Sequence, residues 1–221
     1  MSQSNLNLWH SAFYQFLDAN ERTELIRQSS TLSRAKGEVV VTNNLFEEKV
    51  CYLLKGIMVQ GYAGIEKDVI TDIVLPDEFC PDFLFKQPST KSTFLRAADD
   101  SVILVISRST LESVANNNIK LSSIISTTKA SYVRRLERLL ETSSLSTRGR
   151  VASLIKVLGD RIGRPVGDEI YVKGVFTQYF MADVCHSSRQ SITKIMSEFK
   201  QEGLINYDRK GILIKDIDGL K

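Results

Sequence analysis

The stretch that most constrains this chain lies near its C-terminus, where residues 177–196 carry two short helical patterns separated by Cys185, His186 and Ser187. Thr177 can cap the first helix and Ser188 the second, because a short side-chain oxygen accepts from the otherwise unpaired N–H groups of a first turn. In the first helix Met181 and Val184 recur at helical spacing, and Ala182 is small enough to admit a neighbouring helix. In the second, Ile192, Ile195, Met196 and Phe199 fall on one stripe, which turns Arg189, Gln190, Thr193, Lys194 and Ser197 outward. Glu202-Gly203-Leu204-Ile205 then ends that helix at a glycine, the usual residue of a left-handed C-terminal cap. A strand Ile205–Tyr207, a turn at Asp208-Arg209-Lys210-Gly211 and a strand Ile212–Ile214 follow. The pattern predicts a helix-turn-helix with a hairpin wing.

The outward residues suit double-stranded DNA. Arginine bonds the O6 and N7 edge of guanine in bidentate fashion, glutamine does the same for adenine, and lysine neutralises a phosphate or donates to guanine. Arg189, Gln190 and Lys194 are therefore the base-edge candidates, with Ser188 and Thr193 on the same first turns. Thr177, Gln178 and the wing-tip pair Arg209 and Lys210 are candidates for positioning on the phosphate backbone. An ordinary helical hairpin with a solvated face, or a module that docks on a protein partner, shares the two-helix pattern.

Charge is distributed in keeping with a DNA reader. The net charge of +3 over 221 residues is small, but from Arg148 onward 13 basic residues stand against 9 acidic ones. Cys51, Cys80 and Cys185 are odd in number and far apart, so neither a disulfide framework nor a Cys-x-x-Cys metal pair is suggested. No basic stretch followed by an apolar one opens the chain and no run of 18 apolar residues occurs, so a cytoplasmic protein without membrane contact is expected. A phosphate loop, metal-ligand spacing and a nucleophile motif are all missing, which makes an enzyme the weakest reading.

Upstream, residues 12–28 suggest one or two short amphipathic helices burying Phe13, Phe16, Leu17, Leu25 and Ile26. The period then changes. Between Leu32 and Ile106, short runs rich in β-branched and aromatic residues alternate with turn signals such as Lys36-Gly37, Lys55-Gly56 and Pro76-Asp77. Strands are predicted over 38–42, 50–54, 57–62, 69–74, 92–97 and 102–106, which suggests a closed jelly-roll able to hold a ligand. A helical stretch spans 109–143 with an interruption at Asn116-Asn117-Asn118. Along it Leu121, Ile125, Thr128, Tyr132, Arg135 and Leu139 alternate four and three apart, a heptad seam suited to a homodimer. A buried helix of a single domain shows the same spacing. Ser143 to Thr147 forms a hinge, giving three expected parts: a β-barrel sensor or effector domain (1–108), a dimerisation helix with hinge (109–145) and a winged-helix domain (146–221).

This order of parts resembles the cyclic-AMP receptor protein and fumarate-nitrate regulator (CRP/FNR) superfamily of bacterial transcription factors. The signposts are Lys36-Gly37-Glu38-Val39-Val40, Tyr52-Leu53-Leu54-Lys55-Gly56, the run Ala98 to Ile106, Ser188 to Lys194, and Glu202-Gly203-Leu204-Ile205. The resemblance implies an α+β fold with a cyclic-nucleotide-binding-like β jelly-roll, a long dimerisation helix and a C-terminal winged helix-turn-helix. It also implies a homodimer on partly palindromic DNA and, for an activator, contact with RNA polymerase.

The residues equivalent to the family's nucleotide cassette depart from it. Pro81 replaces a glycine and lacks an N–H donor, Asp82 stands for a glutamate, and Lys91-Ser92-Thr93 offers a point charge where the family has an arginine's planar fork. Asp82, Lys91, Ser92, Thr93 and Arg135 remain the candidate lining of an effector pocket, for an unknown effector not expected to be a cyclic nucleotide; a regulator that needs no small-molecule effector is the alternative. Three scattered cysteines cannot ligate an iron–sulfur cluster. His10 and His186 read as packing and turn residues, so no cofactor is expected. His186 takes a turn position where the family has glycine and is expected to tolerate left-handed backbone. Cys80 is a redox candidate only if exposed.

Overall fold

The computed structural model describes residues 13–41, 48–64, 68–84, 93–174 and 176–221, with the backbone alone at Val41, Asp82 and Phe83. Strands form where the apolar runs were found. They are β1 (Ser29–Arg34), β2 (Val39–Val41), β3 (Lys49–Lys55), β4 (Met58–Tyr62), β5 (Val69–Val74), β6 (Glu78–Phe79), β7 (Thr93–Ala97) and β8 (Ser101–Ser107). Two four-stranded antiparallel sheets result, in the orders β1-β8-β3-β6 and β2-β7-β4-β5. Val50, Leu53, Ile103 and Ile106 of the first sheet share one core with Val40, Met58, Val74 and Leu95 of the second, as in a jelly-roll.

Two strands are additions to the sequence reading. β1 is serine-rich and only partly buried because it pairs along one side alone, with β8. β6 is two residues long. The turn after β3 depends on Gly56, whose φ of +94° is left-handed and whose Cβ, if present, would collide with Ser101 and the Asp100 carbonyl.

Ahead of the sheets, a 3-10 turn (Tyr14–Phe16) precedes α1 (Ala19–Arg27). Asp18 and Glu21 close a capping box on α1. Phe13, Leu17 and Leu25 are buried as expected, whereas Phe16 is 44% exposed and Tyr14, at 1%, takes the inward place instead. The tight 3-10 winding shifts which side chain points in. Phe13, Tyr52 and Phe79 form a ring cluster with centroids 4.7–5.3 Å apart.

Helix α2 (Arg108–Asn117) breaks at Asn118, and α3 runs over Ile119–Ser143. Asn118 serves both sides of the break. Its Nδ2 donates to the Phe16 carbonyl and the Glu21 carboxylate, and its Oδ1 accepts from the Leu121 N–H. Leu121 is fully buried and Ile124 and Ile125 pack on the same core. The heptad residues Leu121, Ile125 and Tyr132 thus lie against the chain's own β sheets. Thr128 and Leu139 are half-buried.

The chain divides into two compact units, Met1–Leu136 and Glu137–Lys221. In the second, Ser146 caps α4 (Thr147–Ile162) through the Gly149 N–H. The sheet order is β11-β12-β10-β9, built from β9 (Arg164–Val166), β10 (Glu169–Lys173), β11 (Ile205–Tyr207) and β12 (Gly211–Ile214). Between β10 and β11 lie α5 (Gln178–Val184) and α6 (Arg189–Gln201). Val151, Ile155 and Leu158 of α4 and Ile192, Met196 and Phe199 of α6 are almost wholly buried. β9 is a short edge strand that accommodates Pro165, because an edge position needs no ladder N–H there.

Candidate nucleic-acid interface

Both helices of the C-terminal pair start at their expected caps. Thr177 Oγ1 accepts from the Phe180 N–H at 3.2 Å, and Ser188 Oγ accepts from the Ser191 N–H at 3.1 Å. Between them His186 sits in left-handed backbone at φ +47°, so the turn residue does what its position predicts. The Ser187 N–H returns to the Ala182 carbonyl at 2.9 Å and closes the turn.

Opposite the buried stripe of α6, Arg189, Gln190, Thr193 and Lys194 are exposed, and Ser197 is half-buried. These side chains line one open groove along the helix. Thr193 donates its hydroxyl to the Arg189 carbonyl at 2.9 Å. Lys194 lies 3.9 Å from Glu198, a loose pair on an exposed surface. At the groove's start, the Arg189 guanidinium stacks 4.6 Å above the centre of the Tyr179 ring, and its Nη1 donates to the Tyr179 hydroxyl at 3.2 Å. Tyr179 was not among the sequence candidates; an aromatic 64% exposed on the helix before the turn was the available signal. Thr177 and Gln178 lie half-buried at the start of the same helix.

Two arginines of α4 hold this pair in place. Arg148 bonds Glu198 at 3.2 Å and Glu202 at 2.6 Å, with its guanidinium 4.4 Å above the Phe199 ring. Arg150 donates to the carbonyls of Cys185 and Leu145 and to the Thr147 hydroxyl. One guanidinium thus ties the end of α5 to the start of α4.

At the wing, Asp208 accepts from the N–H groups of Lys210 and Gly211 at 2.7 and 3.1 Å. The bend leaves Arg209 and Lys210 exposed at the tip. Residues 149–221 match the Crp-like helix-turn-helix domain family. The CRP-like cAMP-activated global transcriptional regulator of Mycobacterium tuberculosis is 20% identical over 96% of both chains. The anaerobic regulatory protein of Bacillus subtilis is 19% identical over 90% of this chain and 85% of its own.

The C-terminal domain, residues 149–221, is of the Crp-like helix-turn-helix family.

Solved structures carry the same fold over almost the whole length. A cyclic nucleotide-binding domain containing protein from Listeria monocytogenes has a TM-score of 0.76 at 15% identity, covering 95% of this chain and 97% of its own. FixK2 from Bradyrhizobium japonicum has a TM-score of 0.71 at 17% identity, covering 87% and 95%. The Crp-like domain and the two regulator relatives support a DNA-binding transcription regulator. Among the described residues no helix is long and apolar enough to cross a membrane.

The candidate effector residues are only partly brought together. Lys91 and Ser92 lie outside the described residues, as does His10. Asp82 lies in a 3-10 turn (Pro81–Leu84), and Thr93 opens β7, half-buried. Arg135 has a partner within the chain. Its Nε and Nη2 each lie 2.8 Å from one of the Asp72 oxygens, a bidentate pair whose carboxylate is only 3% exposed. Burial opposes the Arg135 charge, but the hydrogen bonds and charge of Asp72, with help from Glu78, hold its pKa above the ordinary arginine value. One turn earlier on α3, Tyr132 accepts from Gln60 Nε2 at 3.2 Å, so two buried polar contacts fasten α3 to β4 and β5. Asp72 is 63 residues from Arg135, and nothing in their separate patterns marks them as partners. Cys80 is fully buried, which removes the condition for a redox role. Burial pushes the thiols of Cys51 and Cys185 up to about 12, so both stay protonated.

Proposed function

We propose that this regulator works as a homodimer that inserts paired α6 helices into successive major grooves of a partly palindromic DNA site, about one helical turn apart. The observation that carries the reading is the α6 surface: Arg189, Gln190, Thr193 and Lys194 exposed together on a helix whose opposite face is buried in the Crp-like domain. Arg189, Gln190 and Lys194 read base edges, with Thr193 exposed beside them. Ser188, Thr177, Gln178, Arg209 and Lys210 hold the phosphates. When the regulator activates, RNA polymerase is a further partner.

The parts are a β sensor or effector domain (1–108), a dimerisation helix and hinge (109–145) and the DNA reader (146–221). The second copy packs along α3. Leu121, Ile125 and Tyr132 are already used within the chain. The outward heptad Ser123, Ser126, Ala130, Val133 and Leu140, with Val133 47% and Leu140 74% exposed, adjoins the half-buried Thr128 and Leu139 and supports that face as the dimer seam.

The mycobacterial relative is cAMP-activated. In this chain Arg135 is committed to Asp72, and Pro81 offers no N–H where the family has glycine. Both features support a regulator whose effector is not a cyclic nucleotide and whose α3 is fixed on the β domain without one. Fluorescence anisotropy on duplexes selected from a random pool tests the function. Sequence-selective, salt-dependent binding by a dimer is expected, and equal affinity for selected and random duplexes would refute it.

A further inference from the structure

Tyr179 belongs to α5, and Arg189 opens the helix that lies against DNA in the proposed function. The two side chains meet across the turn. The guanidinium lies 4.6 Å from the ring centre, within the range at which a cation is drawn to an aromatic face, and one of its nitrogens bonds the phenol oxygen at 3.2 Å. Neither contact is a packing necessity, because Tyr179 is 64% exposed and Arg189 is exposed. A long arginine on a solvent face would otherwise sample many rotamers, and a stacked fork loses less freedom on each bond it forms.

The hydrogen bonding leaves the reading edge intact. A guanidinium carries five N–H donors. The phenol takes one from Nη1, so the remaining donors can meet the O6 and N7 acceptors of a guanine in bidentate fashion. The first helix of such a pair crosses the DNA backbone, and Tyr179 stands at the second position of that helix.

We infer that Tyr179 is a specificity-determining positioning residue: it holds the Arg189 guanidinium, by stacking and one hydrogen bond, in the orientation that reads guanine. The inference rests on the DNA-reading role of Arg189 proposed above. It goes beyond that role by assigning specificity to a residue of the preceding helix, which need not touch a base.

The test is a double-mutant cycle with the full-length chain and a duplex that the wild-type chain selects from a random-sequence pool. Four proteins are titrated by anisotropy: wild type, Tyr179→Ala, Arg189→Ala and the double variant. Tyr179→Ala is expected to weaken selected-site binding about two- to fivefold, the size of an exposed cation–π contact. It is expected to have no further effect once Arg189 is alanine. It also narrows the preference for guanine over the other bases at the position where Arg189→Ala abolishes that preference. Tyr179→Phe, which keeps the stack and drops the hydroxyl, falls between. Circular dichroism on each variant checks the fold, which an exposed side chain should leave unchanged. Equal loss from Tyr179→Ala in both backgrounds, or unaltered guanine preference, overturns the positioning role while leaving DNA reading in place. Failure of the wild-type chain to select any sequence overturns the DNA reading itself, and this inference with it.

Discussion

Replacing Arg135 with methionine tests the account of how α3 is fixed to the β sheets. Methionine keeps most of the side-chain length but leaves the Asp72 carboxylate, 3% exposed, without its bidentate donor. Removing one partner of a buried, hydrogen-bonded charge pair costs about 3–5 kcal/mol. The converse change, Asp72→Asn, is milder. Arg135 is 22% exposed and can turn toward water, and asparagine still offers one acceptor, so the expected cost is about 1–2 kcal/mol. Replacing both partners, as Asp72→Leu with Arg135→Met, removes the charges together and recovers most of the loss. Scanning calorimetry of the full chain reads this out. The transition of the unit containing residues 72 and 135 should fall by about 10–15 °C for Arg135→Met, at roughly 3 °C per kcal/mol for a unit of this size. A loss from Asp72→Asn as large as that from Arg135→Met, or a double variant no better than Arg135→Met, would refute the reasoning.

Other perturbations probe the remaining parts. Arg189→Ala should cost about 1–3 kcal/mol on a selected duplex while leaving random-sequence binding nearly unchanged, as measured by paired anisotropy titrations at one salt concentration. Lys210→Ala should weaken selected and random duplexes alike and lower the slope of log K against log salt by about 1, which a salt series measures. Val133→Asp together with Leu140→Glu should convert a dimer to a monomer in sedimentation velocity without altering circular dichroism, since both side chains are already exposed in the single chain. Gly56→Ala should destabilise the β unit by more than about 1 kcal/mol in calorimetry, because its backbone is left-handed and the added methyl meets Ser101.

Much of this molecule could be read locally. The caps at Thr177 and Ser188, the buried stripe of α6 and the wing turn at Asp208 depend on residues within a few positions of one another, and all form as their spacing predicts. Val69–Val74 likewise forms over its predicted range, because its β-branched run is buried nearly throughout. What escaped depends on partners distant in sequence. Ser29–Arg34 has little apolar content and becomes a strand through β8, more than 60 residues away. The heptad along α3 was visible, but which neighbour it meets follows from how the helix rotates on the sheets. Leu121 and Tyr132 turned out to face the chain's own core. Arg135 was singled out in sequence, but its partner Asp72 became visible only once β5 and α3 were adjacent. Tyr179 gains its meaning the same way, from the turn that brings α5 beside the start of α6.

The central claim is that two α6 helices read two half-sites in fixed register. Inserting five base pairs between the half-sites of a selected palindromic duplex turns one half-site about halfway around the DNA axis while preserving every base. The account predicts that anisotropy then shows affinity reduced to that of random DNA. Undiminished affinity for the lengthened duplex would contradict it.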